Sequence, residues 1–280
     1  LLDNAAKKLE TGLADQPEQR AKLQETLGET YHALGLYRQA IPLQEQVRDY
    51  FLATFGPEHP DTLSAMHSLA ISYQAAGRQD EALQLWEELL TLRRKLLGPE
   101  HPDTLSAMGN LANSYHDAGR RDEALKLRKE QLTLRPDDPG AHNDAAWKLA
   151  TSPDKDALYP HAAQAVEWAR RANELAPNDG GLLNTLGVAL YRAEQWQEAI
   201  DTLQKSIELG ADVPHNWLFI AMAHWQLDQK DKAKQWYNKS LAWQTANEDA
   251  AKADTELQGF YAEATKLMAV DPEEPKPNAE

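Results

Sequence analysis

The feature that most constrains the fold of this chain is a long internal repeat. The eleven residues GPEHPDTLSAM occupy positions 56–66 and return unchanged at positions 98–108. The same shift of 42 residues aligns Leu27, Leu69 and Leu111; Tyr31, Tyr73 and Tyr115; Gly35, Gly77 and Gly119; and Ala40, Ala82 and Ala124, while a shift of 34 aligns Ala165, Ala199 and Ala233. Fixed periods of this size are typical of proteins built from stacked repeats.

Each unit is predicted to contain two helices. Leu27, Tyr31 and Leu34 recur at i, i+4 and i+7, which places them on one helical face, and Gly35 then supplies the left-handed residue that ends a helix. Ala40 lies at a fixed position in the second helix, where a methyl side chain allows the two helices to approach closely. The spacing therefore predicts an all-α chain of antiparallel helix pairs.

Several of these positions resemble the signature of tetratricopeptide repeats (TPRs). They are the pairs Leu27-Gly28 and Leu186-Gly187, the Tyr four residues after each Leu in the early units, and the small residue thirteen after it. The 42-residue units resemble kinesin-light-chain-type repeats. Their combination with AWKLATSPD and APNDGGLLNTLGVALYRAEQWQEAI resembles the C-terminal arrays of certain bacterial serine/threonine kinases. The general resemblance spans residues 15–245 and implies a right-handed superhelical α-solenoid.

The repeat phase divides the chain into six units with a segment at each end. Residues 1–14 are predicted to be the second helix of a truncated repeat and, with no initiator Met, indicate a piece of a longer protein. One face of the terminal segment carries Leu257, Phe260, Tyr261, Ala264, Leu267 and Met268, as expected of a helix that covers the last repeat. The predicted units are 15–56 and 57–98 (42-residue type), 99–138, 139–177 with a long inter-helix turn containing Pro153 and Pro160, 178–211 and 212–245, followed by a capping helix at 246–270 and a disordered tail at 271–280.

Two departures from the repeat pattern carry structural expectations. Glu194 and Asp228 stand where the early units have Gly, so a strained or different turn is expected at Glu194. Arg128 replaces the large apolar residue seen as Trp86 one unit earlier.

The repeated GPEHPDTL segment carries a histidine beside carboxylates, and this pattern is compatible with a metal site or with a helix-capping turn. One histidine and scattered carboxylates per turn do not make the three- or four-ligand set that zinc requires. Pro60 and Pro102 suit the first turn of a helix, where a missing N–H costs nothing. His59 and His101 are therefore predicted to cap or pack the turn, and no metal is expected.

Composition and motifs favour a binding protein over an enzyme. Glycine-rich phosphate loops, GxSxG, HExxH and the loops of a protein kinase do not occur, and cysteine is absent. No catalytic residue and no cofactor is expected, and a kinase domain, if the parent protein has one, would precede Leu1. The formal charge of −15 disfavours nucleic acid and anionic membranes, and no apolar run approaches the length of a bilayer span. A cysteine-free chain of this kind fits the cytoplasm best.

In a TPR array the first helix of each unit lines a concave groove, so a peptide-binding groove is expected there. Large aromatic residues in it would be favoured contacts, although packing between repeats is an alternative for them. Amides could bond the backbone of an extended peptide, or could be solvated. The candidate groove residues are Glu29, Ile71, Asn113, His116, Asn143, Trp147, Asn184, Val188, Tyr191, Arg192, Met222 and Trp225.

The predicted function is a non-catalytic scaffold for protein–protein interaction that binds a peptide or domain in this groove. TPR domains that clamp a C-terminal carboxylate use Lys, Asn and Arg, but Glu29, Gly109 and Asp144 stand at the corresponding positions. The net charge instead favours a basic or apolar peptide. Two alternatives remain open: a regulatory or substrate-recruiting region of a serine/threonine kinase, and a structural homo-oligomer formed by end-to-end stacking of repeats.

Overall fold

The computed structural model describes residues 2–13, 15–151 and 161–268. Over these ranges the chain consists of helices joined by turns and bends and contains no β-strand. The chain divides into two compact units, residues 1–134 and residues 135–280. Each unit is described by itself.

The first unit consists of three helix pairs preceded by one further helix. The helices are α1 (Leu2–Thr11), α2 (Pro17–Ala33), α3 (Tyr37–Phe55), α4 (Pro60–Ala75), α5 (Gln79–Leu97), α6 (Pro102–Asp117) and α7 (Arg121–Leu134). Helices α2, α4 and α6 each pair with the helix that follows, and α3 and α5 also pack against the next pair. A large apolar cluster of this unit is centred on α4, α5 and α6 and includes the fully buried Leu69, Trp86 and Met108.

The second unit contains three more pairs followed by two terminal helices. The helices are α8 (Pro139–Thr151), α9 (Ala162–Leu175), α10 (Gly180–Arg192), α11 (Trp196–Glu208), α12 (Pro214–Gln226), α13 (Lys230–Ala246), α14 (Glu248–Ala253) and α15 (Thr255–Met268). The pairs are α8/α9, α10/α11 and α12/α13, and the first helices α8, α10 and α12 also contact one another in that order. The long turn predicted around Pro153 and Pro160 lies outside the described residues.

The turn within a helix pair has the same backbone geometry at glycine and non-glycine positions. At Gly35, φ is +71°, the Gly35 N–H bonds the His32 carbonyl at 2.8 Å, and the next N–H bonds the Tyr31 carbonyl at 2.8 Å. At Glu194, φ is +60°, and its N–H bonds the Tyr191 carbonyl at 3.0 Å. Asp228 is left-handed as well. The sequence predicted either a strained residue or a different turn at Glu194. The structure supports the first: the turn is unchanged, and Glu194 adopts the left-handed conformation that glycine normally supplies at the end of a helix.

The repeated GPEHPDTL segment is a helix-capping turn. His59 precedes α4 in an extended conformation, and its Nδ1 accepts a hydrogen bond from the Asp61 N–H at 3.2 Å. His101 does the same before α6, with the Asp103 N–H at 3.1 Å. Each ring satisfies a backbone donor that the first turn of a helix leaves without a partner. The prediction of a capping role is confirmed, and no cluster of metal-ligating side chains occurs among the residues described.

Arg128 replaces an apolar contact by a hydrogen bond. Trp86 is fully buried, with its ring edge-on to His67 at 5.1 Å between centroids. One unit later, the buried Arg128 donates from Nη2 to the Oδ1 atom of Asn113. A buried guanidinium requires hydrogen-bond acceptors such as this oxygen, because its burial without them costs roughly several kcal/mol. The predicted groove residue Asn113 is therefore engaged within its own helix pair.

Tyrosines of the first helices bond carboxylates of the preceding helix. The Tyr31 hydroxyl donates to Asp3 at 2.7 Å, and the Tyr73 hydroxyl donates to Glu45 at 2.6 Å. The Tyr115 hydroxyl continues the series with a carboxylate on α5. Burial, followed by the bond to the carboxylate, raises the pKa of Tyr73 to about 12. The aligned tyrosines thus join each pair to the one before it.

The end of the chain differs from the single capping helix expected over residues 246–270. Helix α13 continues to Ala246, and α14 and α15 then follow as separate helices. Asp254 separates them, and its Oδ1 accepts the Leu257 N–H at 2.9 Å, as a residue that caps a helix start does. Helix α15 packs on α12 through its predicted apolar face. The residues of this face are buried except Leu267, which is half-buried. The predicted disordered tail at 271–280 lies outside the described residues.

Candidate protein-binding face

In the first unit, most predicted groove residues take part in contacts of the array itself. Ile71 is half-buried and packs against the apolar cluster. His116 Nδ1 lies 3.5 Å from an Asp117 carboxylate oxygen, and its Nε2 is buried without a hydrogen-bond partner. Glu29 is exposed. Burial raises the pKa of nearby Glu25, and the negative charges of Glu29 and an aspartate on α4 raise it further, so this surface is acidic.

In the second unit, α15 lies across the first helices of all three pairs. Its Phe260 ring packs edge-on against Phe219 of α12 at 4.9 Å between centroids and against His215 at 5.7 Å. The indole of Trp147 on α8 lies 6.4 Å from the same ring, perpendicular to it. Edge-to-face contacts at these distances are favourable. Phe260 is buried, with 4% of its surface exposed.

A buried arginine forms the polar part of the same contact. Arg192 lies at the end of α10, and 3% of its side chain is exposed. Both terminal nitrogens donate to the Glu263 carboxylate on α15, one of them at 2.8 Å, and its Nε donates to the Ala150 carbonyl at 3.0 Å. The guanidinium also lies over the Phe219 ring, 5.0 Å from the centroid. A planar fork matched by one carboxylate is the strongest geometry available to this pair.

Further polar contacts hold the start of α15. The Trp147 Nε1–H donates to Glu256 Oε1 at 3.2 Å. His215 Nε2 lies 3.7 Å from an Asp254 carboxylate oxygen. Burial lowers the pKa of His215, and the charges of Asp254 and Glu256 oppose that shift.

The opposite side of α15 is fixed to α13. The Tyr261 hydroxyl donates to the Ser240 carbonyl at 2.7 Å, and the hydroxyls of Tyr237 and Thr265 lie 2.7 Å apart.

The residues of α8, α10 and α12 that surround Phe260 and Glu263 are called the α15 seat. They are Trp147, Tyr191, Arg192, His215 and Phe219.

The three predicted groove aromatics have different surroundings. Trp147 faces α15, as described above. Tyr191 packs edge-on against Phe219 at 5.3 Å, which is a contact between neighbouring pairs. The Trp225 ring is covered by the Lys230 ammonium, 3.9 Å from its centroid. Tyr191 thus packs between repeats, whereas Trp147 contacts α15 and Trp225 contacts Lys230.

Two predicted groove residues are not at the surface. Val188 and Met222 are fully buried, contrary to the expectation that they point into the groove. The reason is that α10 and α12 are each packed against four other helices, so that little of either is left exposed. Asn184 donates to Asn216 on the next first helix, and Asn143 has a buried Oδ1 atom without a hydrogen-bond partner.

An open cleft adjoins α15. Its volume is about 910 Å³, and its walls include Tyr191, Trp196, Phe260 and Lys266. Helix α15 therefore covers only part of the surface that these helices present. The cleft and the α15 seat offer aromatic surface, the cations Arg192 and Lys266 and hydrogen-bonding groups, an arrangement suited to holding a polypeptide.

The sequence predicts a terminal helix that covers the last repeat, but the contacts of this helix with α8 and α10 through Glu256 and Glu263 were missed. Glu256, Phe260 and Glu263 are spaced at i, i+4 and i+7, so they share one face of α15. A signal for this was present, because Arg192 ends an otherwise apolar helix and a buried arginine requires a carboxylate. The interpretation counted only the apolar residues of the terminal segment.

Family models for the tetratricopeptide repeat match most of the sequence. One matches residues 19–92 and 80–137, a second matches 156–214 and a third matches 214–247. A search of the curated proteins gave no match. Within the described ranges, no helix has both the length and the apolar character that crossing a bilayer requires.

Solved structures share the fold. A kinesin light chain structure from Podosopora anserina, with nearly identical TPR-like repeats, is 26% identical with a TM-score of 0.59, covering 69% of this chain and 95% of that chain. The Pseudomonas aeruginosa pilF structure is 16% identical with a TM-score of 0.54, covering 88% and 99%. The all-α fold and the resemblance to kinesin-light-chain-type repeats are confirmed. The chain belongs to the tetratricopeptide-repeat family.

Proposed function

We propose that this protein is a non-catalytic scaffold that binds a segment of a partner protein on the first helices of its repeats. The observation that supports this most is the seating of α15 on α8, α10 and α12. A helix of 14 residues is held there by the buried Phe260 ring, the ion pair of the buried Arg192 with Glu263, and the indole N–H of Trp147. The face thus carries the groups that recognition of a helical segment requires.

The chemistry of the face is that of a binding hot spot. Aromatic and arginine side chains in water-excluded surroundings contribute most of the energy of typical interfaces. Burial of a phenylalanine alone contributes about 1.5–3 kcal/mol. A partner segment that supplies such a ring and a carboxylate therefore gains more here than on a solvent-exposed helix face.

The expected charge of the ligand differs between the two units. In the first unit, Glu25 and Glu29 support the basic or apolar peptide that the net charge of −15 favours. Binding there should weaken from low to moderate salt, since exposed charges are screened. In the second unit, Arg192 favours a ligand with a carboxylate, which differs from the basic or apolar peptide expected from the net charge.

Site-directed photo-crosslinking tests this function. A photoreactive phenylalanine analogue would replace Trp147 or Trp225 on first helices, or Trp243 on the second helix α13 as a matched control. After illumination in the cell that makes the protein, we expect one and the same partner to be crosslinked from Trp147 or Trp225 and not from Trp243. Crosslinks from Trp243 alone, or from none of the three positions, would contradict the proposal.

A further inference from the structure

We propose that α15 is a built-in competitor for the second unit's binding face, and that the external partner of this face is an acidic amphipathic helix that replaces it. The partner would carry an aromatic residue, a carboxylate four residues before it and another carboxylate three residues after it. This inference rests on the proposed function and specifies its ligand.

The α15 seat selects this pattern through three separate contacts. Phe260 fills the space between the rings of Trp147 and Phe219. Glu256 and Glu263 lie on the same helical face as that ring, one turn to either side of it. Glu256 accepts the indole N–H, and Glu263 accepts both terminal nitrogens of Arg192. A helix that lacks any one of the three loses a contact that the seat provides.

The arginine favours a carboxylate at one position of the incoming helix. Arg192 belongs to the repeat array, whereas Glu263 belongs to the terminal helix, so the two separate whenever α15 leaves. A two-pronged, charge-assisted hydrogen bond between a guanidinium and a carboxylate is stronger than a bond to a neutral group. An incoming helix with a carboxylate at this position should therefore bind more tightly than one with a neutral or basic residue.

Helix α15 is attached in a way that allows exchange. It is joined to α13 by the six-residue α14 and by the single residue Asp254, outside the helices of the array. Its outer side, which includes Gly259, is exposed, and nothing lies within 4 Å of a Cβ built at Gly259. A helix of 14 residues is marginal in water on its own, so α15 depends on its contacts with the seat and with α13 for its structure.

The adjoining cleft gives a partner access to the seat. The cleft of about 910 Å³ is open along Phe260 and reaches Tyr191, which belongs to the seat. A partner helix can therefore enter the cleft beside Phe260 before it takes the position of that ring. A tethered segment competes at an effective concentration of about a millimolar, so only a partner with much tighter intrinsic binding displaces it.

A peptide-exchange experiment on the full chain tests the proposal. The probe is a fluorescent peptide with the sequence of residues 255–268, TELQGFYAEATKLM, and binding is read as fluorescence anisotropy. The wild-type chain should bind it weakly, because its own α15 occupies the seat. A chain carrying Phe260→Ala and Glu263→Gln keeps every residue of the seat and should bind the peptide about tenfold or more tightly than wild type.

Control variants separate the seat from non-specific binding. Addition of Arg192→Gln to the double variant should abolish the gain, and so should a peptide that carries the equivalent of Glu263→Gln. Lys234→Gln on the exposed side of α13 should leave the gain intact. Equal binding of the peptide by wild type and double variant would overturn the proposal.

A second measurement covers the case in which the double variant does not fold. A protease site inserted beside Asp254 in the otherwise wild-type chain would be cut after folding. The released α15 should then dissociate on dilution and be displaced by the peptide. Retention of α15 against excess peptide, or a dimer by light scattering in which two copies have exchanged α15, would overturn the proposal. Crosslinking of a partner from Trp225 would still support the scaffold function in that event.

Discussion

Arg192 on α10 and Glu263 on α15 are 71 residues apart in sequence and form a two-pronged ion pair whose arginine side chain is 3% exposed. The pair joins the repeat array to the helix that covers it. Because one partner is buried and the other is one-third exposed, the loss of either has a different consequence.

Glu263→Gln should destabilise the second unit by about 1–3 kcal/mol, since it replaces a two-pronged, charge-assisted hydrogen bond to the buried guanidinium by a bond to a neutral amide. Arg192→Met combined with Glu263→Gln should cost less than the two single changes added together. Urea denaturation of the four proteins of this double-mutant cycle measures the coupling. Additive costs would show that the pair does not contribute through direct contact.

Glu194→Gly should stabilise the protein by about 0.5–1 kcal/mol. Glu194 adopts φ of +60°, a conformation that costs a non-glycine residue roughly 1–2 kcal/mol, and glycine removes that strain at some cost in chain entropy. The matched control is Gly77→Ala at the equivalent turn, where φ is +74° and no atom lies within 4 Å of an added Cβ. That change should destabilise. Urea midpoints of both variants check the opposite signs.

Above pH 10 the first unit should lose stability. The pKa of Tyr73 is raised to about 12 in the folded protein from an ordinary value of 10.0, so the unfolded chain releases this proton first. The contribution of Tyr73 is complete below pH 10 and is lost as the pH rises to about 12. Tyr73→Phe should flatten the decline of the unfolding free energy over this interval. An unchanged slope would show that Tyr73 does not retain its proton in the fold.

Leu69→Ala should cost about 2–5 kcal/mol, because Leu69 is fully buried between α4 and its neighbours and its removal leaves a cavity. Leu23→Ala on α2 is the matched control, since Leu23 is 49% exposed. Its cost should stay within about 0.5 kcal/mol. Thermal or urea unfolding compares the two, and a cost below half a kcal/mol at Leu69 would contradict its place in the core.

The repeat period was sufficient to predict the helix pairs and their buried faces. Leu69, Tyr73 and Ala82 each have an identical residue 42 positions earlier and 42 positions later in the sequence. Each of these three residues is buried, and equivalent positions of a repeat have similar surroundings, which favour the same residue. The capping role of His59 was predictable for a similar reason, because Pro and Asp beside it fit only the start of a helix.

The contacts of α15 with α8 and α10 could not be predicted in this way. Its apolar spacing predicted a helix that covers the last repeat, and α15 does pack on α12. Spacing does not show how far the helix reaches along the other first helices, because α15 has no counterpart in the repeats. The burial of Val188 and Met222 was missed because repeat phase gives a direction and not the number of neighbouring helices. A ligand, and the resemblance to kinase arrays, stay predictions.

The placement of α15 has a consequence for how the second unit opens. In a linear array each hairpin touches only its neighbours, so the ends can fray while the middle stays intact. Because α15 reaches from Trp147 on α8 to Tyr237 on α13, it closes these hairpins into a loop of contacts. The last hairpin cannot then unravel alone. Amide hydrogen exchange should show nearly uniform protection from α8 to α13, and a graded loss of protection toward α13 once α15 has been released.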